Sequence, residues 1–310
     1  MALKELALTM QLSLGPVLYN WPPDHWRDFY FRIADEAPVD VVAVGEIVCS
    51  KRAPFFDEHL PAVIERLERA GKTVLLGSLI LVSQPRERRQ TAALAEVADG
   101  LVEVNDLTCL RSISGRPHAI GPFVNIYNEA AASFHAAQGA MRICLPPELP
   151  LASVAAITAA VPQVVIEVFA FGRTPLAISA RCYHARVHKL AKDNCRFVCD
   201  KDMDGLVVKT LDNQDFLTIN GVQTLSHACT NLLRDVEKLE QGGVRSLRLS
   251  PQACDMVEVA RTFRDVLDGR KDAEAGCRHI EQIYPNVPVA NGFLHSAPGF
   301  SYVASDKPVG

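Results

Sequence analysis

Eight short apolar runs recur along this chain with amphipathic stretches between most of them, and that alternation constrains the fold more than any single motif. The runs are Leu6–Gln11, Val39–Val44, Thr73–Val82, Leu101–Val104, Ala119–Ile126, Met141–Leu145, Val164–Phe171 and Val244–Leu249. Between them, helical patterns are predicted at Asp24–Glu36, Phe56–Ala70, Pro85–Val97, Glu129–Gln138 and Leu151–Ala160. Gly71 is placed to end the second helix and Asn128 to cap the fourth. After the last run, Ser250 is expected as an N-cap with Pro251 at the first helical position, and the helix runs to about Leu267. Continuous apolar strands alternating with helices imply a parallel sheet covered by helices. Eight of them predict an α/β fold, a (β/α)8 TIM-like barrel. The fourth unit shows no clear helix, so an irregular barrel is expected.

A long stretch, about residues 172–243, separates the seventh run from the eighth. It is read as an insertion at one end of the barrel, containing a β-like segment at Asp215–Gln223. The organisation expected is one barrel-like domain over 1–285 and an irregular tail over 286–310. Insertions of this length are usually functional.

Composition narrows the function classes. The chain is 48% hydrophobic and 22% charged, enough for a full core, and its net charge of −4 disfavours a general polyanion binder. Charges interrupt the first ten residues, and Pro162, Gln163 and Glu167 interrupt the most apolar stretch. A soluble, cytoplasmic protein without stable membrane insertion is therefore expected. In that compartment its nine cysteines would be reduced, and an odd number suits a disulfide framework poorly. The sequence has no P-loop, no Gly-x-Gly-x-x-Gly and no Gly-x-Ser-x-Gly, which gives nucleotide cofactors and a nucleophile elbow no support.

Three of the cysteines are concentrated. Cys182, Cys195 and Cys199 have twelve residues between the first pair and three between the second. Thiolates bind zinc or iron, and a flexible segment can wrap such ligands around a metal. Structural zinc sites favour two tight Cys-x2-4-Cys knuckles, and only one short pair occurs here. Iron–sulfur sites accept less regular spacing. Cys49 follows the second predicted strand, at the same barrel end from which the insertion starts, and so can meet the other three. His184 and His188 are alternative ligands, although Ala185 stands where a zinc protease carries glutamate. On the residues alone, zinc, iron–sulfur and unrelated thiols all stay open. Cys144, Cys229, Cys254 and Cys277 are assigned structural roles, with Cys229 in a helix of the insertion and Cys254 in the last barrel helix. Cys109 is placed near the rim. The charges around the cluster segment, from Arg181 to Asp204, are read mainly as a solvated surface.

Residues at the C-terminal ends of barrel strands tend to be catalytic. By that rule the rim candidates are Glu46, Asn105, Asp106, Asn125 and Arg173. Glu167, within the seventh run, is expected to point inward, where it would need a partner.

GEIVCSKR, PLAISARC, the Cys-x12-Cys-x3-Cys spacing and INGVQTLS together resemble the oxygen-independent ubiquinone-biosynthesis members of the collagenase-like peptidase family. The resemblance covers nearly the whole chain. It implies a 4Fe-4S cluster held by Cys49, Cys182, Cys195 and Cys199. It also implies a heterodimer with the related UbiU, a lipid-binding partner UbiT, and a prenylated phenol or quinone precursor as substrate. Prephenate is the implied donor of the hydroxyl oxygen. Relatives hydroxylate RNA bases, so RNA-base hydroxylation is an alternative expectation. Peptidase activity, from the family name, and a non-catalytic iron–sulfur subunit are two more.

Overall fold

Strands of three to five residues, mostly Val, Leu, Ile and Ala, align in parallel: β1 (Gln11–Leu14), β2 (Val41–Val44), β3 (Thr73–Gly77), β4 (Leu101–Val104), β5 (His118–Ile120) and β6 (Ala140–Cys144). The longer β7 (Val165–Ile178) follows, and Ser246–Leu249 is the eighth barrel strand, β11 in chain order. That last strand pairs with β1 on one side and β7 on the other, which closes an eight-stranded parallel barrel. The computed structural model describes residues 10–96 and 101–304. The predicted first strand, Leu6–Gln11, lies mostly outside the described residues; the strand observed begins at Gln11.

Period-two alternation divides the strands into two faces. Leu12, Leu14, Leu247 and Leu249 belong to the main core with residues of the surrounding helices, while Val41, Ala43, Leu75 and Ala119 form a small separate apolar group. Beside that group the barrel holds charge. Glu167, Glu103 and Arg248 are all at least 98% buried. Arg248 Nε donates to Glu167 Oε1 at 2.5 Å, and its two terminal nitrogens bond the Glu103 carboxylate. Arg142 Nη1 reaches Glu167 Oε2 at 2.8 Å, and the Ser13 and Ser246 hydroxyls donate to the same oxygen. The inward Glu167 therefore has the partners it needs. Two arginines balance two carboxylates, so the network adds no net charge to the interior.

The helix ring follows the sequence closely, with informative departures. The helices used below are α1 (Pro23–Glu36), α2 (Leu60–Arg69), α3 (Pro85–Glu96) and α4 (Leu107–Ile113). The fourth unit does have a helix, the two-turn α4, too short for a periodic pattern to reveal it. Gly71, at φ +76°, ends α2 as expected, and Asn128 caps the helix Glu129–Ala137 through Ala131 N. The last barrel helix starts later than Ser250 and Pro251 suggested. It spans Met256–Leu267 and is capped by Asp255, whose Oδ1 accepts from Val257 N and Glu258 N. The Gln252 side chain binds the carbonyls of Ser250 and Pro251 and the Tyr19 hydroxyl, which holds Ser250–Cys254 as a loop. Cys254 is therefore in that loop and not in the helix. Asp255→Ala is expected to lower stability by about 1 kcal/mol in urea unfolding, the usual cost of an N-cap.

The insertion carries an antiparallel β arm. β7 runs past the barrel, and its outer half pairs antiparallel with β10 (Gln223–Asn231). β9 (Asp215–Asn220) and β8 (Leu206–Lys209) extend this arm. Cys229 accordingly sits in β10, not in a helix; alternating burial along Gln223–Asn231 meets the two-residue period of a strand. The tail is less irregular than expected. β12 (Val289–Ala290) pairs with β10, and Asn291 and His295 bond to Asp235.

Candidate metal centre

The four cysteines line one cavity. Cys49, Cys182, Cys195 and Cys199 contribute to its wall with Lys51, Arg52, His184, Phe197, Val198 and Val222. Each cysteine arrives by a different local device. Cys49 follows β2, where the Glu46 carboxylate accepts from Val48 N at 2.6 Å and Cys49 N at 2.9 Å and so pins the loop. Cys182 caps the short helix Tyr183–Val187, with its Sγ 3.4 Å from Ala185 N. Cys195 ends a 3-10 turn over Lys192–Asn194, and Cys199 lies in another over Val198–Lys201. Between them Arg196 and Phe197 are both left-handed, at φ +50° and +53°. That conformation costs a non-glycine residue roughly 1 kcal/mol or more. It reverses the chain tightly enough for both cysteines to reach the same cavity.

Two cations from the Cys49 loop attend the thiols. Lys51 Nζ lies 3.8 Å from Cys195 Sγ and donates to the carbonyls of Lys192 and Asp193. Arg52 is 1% exposed. It donates to Leu18 O and Asn220 Oδ1, and lies 3.9 Å from Glu46 Oε2. Burial pushes the thiols of Cys49, Cys182 and Cys199 up, and Arg52 pulls each of them back. Burial also pushes the Glu46 carboxyl up, against Arg52 and the two backbone N–H groups. Gly221 (φ +62°) clears the space Arg52 needs, since a Cβ there would come 2.8 Å from Nη2.

The cavity also contains His184, 1% exposed, with Nε2 2.7 Å from Asp202 Oδ2. Burial lowers its pKa and Asp202 raises it. His188 stacks on His184 at 5.9 Å. Among the described residues, the set of His, Cys, Asp or Glu whose ligand atoms all lie within 4.8 Å of one another is His184, His188 and Asp202. No three of the four cysteine sulfurs are that close together. A single tetrahedral zinc holds its sulfurs about 3.8 Å apart.

The other rim candidates do not join this site. Asn105 is buried against Ser78 and Glu103. Asp106 caps α4 by accepting from Thr108 N. Asn125 is an exposed left-handed residue that ends a 3-10 turn. Arg173 ties the barrel rim to the β arm, pairing with Asp204 at 3.0 Å. Only Glu46 touches the cysteine loop. The charges from Arg181 to Asp204 are not all a solvated surface: Lys192 lines the cavity, Asp202 binds His184 and Asp204 binds Arg173. Sequence reasoning missed Lys51, Arg52 and Gly221. The first two adjoin Cys49 in GEIVCSKR, and their position was the available signal.

Residues 29–302 match the sequence pattern of peptidase family U32. The chain belongs to this family. Among solved structures, this U32 chain is similar to a glycoside hydrolase family 5 enzyme from Prevotella bryantii B14. That match has 8% identity and a TM-score of 0.43, over 88% of this chain and 98% of the other. Membership in a family named for peptidases is consistent with an enzyme. No helix among the described residues of the U32 chain is long and apolar enough to cross a membrane.

Proposed function

We propose that this U32 chain is a UbiV-type subunit. It holds a 4Fe-4S cluster through Cys49, Cys182, Cys195 and Cys199. With UbiU it serves the oxygen-independent hydroxylation of the aromatic ring of ubiquinone precursors, with UbiT presenting the prenylated substrate and prephenate supplying the oxygen. The observation that carries this reading is the meeting of cysteines from two distant segments in one cavity. When bound, a 4Fe-4S cluster supplies a one-electron carrier or a Lewis-acidic iron.

The chain's own groups prepare that site. Lys51 and Arg52 offset the negative charge of the four thiolates, and their fixed positions spare any reorganisation when a cluster is loaded. Phe197, Val198 and Val222 give the cavity an apolar wall that limits water. Glu46 keeps the Cys49 loop in place from behind. Visible and EPR spectra of anaerobically purified protein, with iron and sulfide analysis, test the reading. About four irons per chain with a broad absorption near the visible region are expected. Stoichiometric zinc with no visible absorption would reject it.

A second reading has its own observation. The His184, His188 and Asp202 set suits one divalent metal. It would favour a hydrolytic centre, in keeping with the family's name. Zinc that survives Cys195→Ala but is lost in His188→Ala would favour it over the first.

A further inference from the structure

Arg52, in the wall of the cysteine cavity, is fixed by segments that are distant in the chain. Its Nη1 donates to Leu18 O at 3.0 Å, after β1, and its Nη2 donates to Asn220 Oδ1 at 3.2 Å, at the end of β9. Asn220 is held in turn. Its Nδ2 donates to the same Leu18 carbonyl at 2.7 Å and to Gln223 Oε1 at 3.1 Å. Gly221 leaves the room that the guanidinium fills. A planar fork tied at both terminal nitrogens keeps its charge in one place when the charge in the cavity changes.

Few charges oppose it. Among the described residues, the carboxylate within ion-pair distance of Arg52 is Glu46, at 3.9 Å, and both side chains are 2% exposed. Lys51 differs. It is half-buried, and its ammonium donates to the carbonyls of Lys192 and Asp193. Solvent screens an exposed charge and leaves a buried one close to full strength. Burial raises the Cys49 and Cys199 thiols, and Arg52 opposes that rise in both. The Arg52 charge therefore reaches ligands from both halves of the site.

We propose that Arg52 sets the one-electron reduction potential of the group held by the four cysteines, with Glu46 as the opposing charge. The inference rests on the cluster reading above. An oxidised 4Fe-4S cluster with four thiolates carries two negative charges, and one electron from a one-electron donor makes three, with no bond made or broken. A fixed cation beside the site stabilises the added charge and raises the potential; a fixed anion lowers it.

Redox titration of anaerobically prepared protein with dithionite at pH 8, followed by EPR, tests this. Arg52→Gln is expected to lower the equilibrium constant for reduction about tenfold or more, a fall of about 59 mV for a one-electron couple. Arg52→Lys, which keeps the charge, is expected to restore most of it. Glu46→Gln is expected to move the potential the other way, upward. A purely structural role for the pair gives no such opposition of sign. An unmoved potential in Arg52→Gln, or a fall in Glu46→Gln, would overturn the proposal. Should Arg52→Gln take up no cluster, Glu46→Gln decides, and a potential that fails to rise there overturns it. Natural protein that holds no cluster rejects the cluster reading and this inference with it. Natural protein with a cluster, and variants with unmoved potentials, reject this inference alone.

Discussion

Cys49→Ala is expected to empty the metal centre as thoroughly as Cys199→Ala, with iron falling from about four per chain to near zero in both. The two residues are far apart in the chain and belong to different elements, one to a loop after β2 and the other to a 3-10 turn of the insertion. A local knuckle formed by Cys182, Cys195 and Cys199 alone would tolerate the loss of Cys49 far better. Equal loss is therefore the signature of one shared site. Cys254→Ala is the control, because Cys254 lies in the loop before the last barrel helix and does not line the cavity. It is expected to keep its iron and its spectrum. The reading fails if Cys49→Ala retains its iron, or if Cys254→Ala loses it with Cys49→Ala. Circular dichroism separates loss of metal from loss of fold.

Glu167→Gln is expected to cost about 3 kcal/mol at neutral pH, and the loss should diminish in acid. Breaking a buried ion pair from one side leaves charge without compensation. Here Arg142 would lose its carboxylate and Arg248 would keep Glu103 alone. Burial works to raise the Glu167 carboxyl, but Arg248 and Arg142 outweigh it and bring it from an ordinary 4.5 to about 2. The sign follows. A carboxyl whose pKa is depressed on folding contributes stability that is fully present above about pH 4.5. That contribution is lost as the pH falls through 4.5 towards 2. A shift of this size corresponds to about 3 kcal/mol. Urea unfolding at pH 7, 4 and 3 checks both parts. A natural protein that loses no more stability in acid than Glu167→Gln would contradict the network.

The barrel was legible because its cause is local. Short apolar runs with helices between them are written in the order of residues, and β2, β3, β6 and the helix Leu151–Ala160 appear close to where the pattern puts them. The misread parts have local causes as well. The insertion does contain helices, Tyr183–Val187 and Val236–Gln241, but Cys229 lies on β10 and not in one of them. Pro251 suggested a helix start, but the side-chain bonds of Gln252 hold that stretch as a loop and pass the cap to Asp255. Among the rim candidates, Asp106 proved to be a cap and Arg173 a tie to the β arm. A residue type at a strand end does not reveal which neighbour will occupy it.

The sequence by itself determined the alternating pattern, the close spacing of Cys182, Cys195 and Cys199, and the position of Cys49 after the second strand. It also placed a carboxylate, Glu167, inside a strand, where burial demands a partner. Tertiary structure alone decided which residues meet. It selected Arg248 and Arg142 for Glu167, set Arg52 and Lys51 beside the thiols, and brought Cys49 to the insertion. The reason is physical. Periodicity and spacing report what a segment does with its own neighbours in the chain. Charge pairing, burial and ligand convergence depend on distances across the closed barrel, and those exist only once β11 has joined β1 to β7.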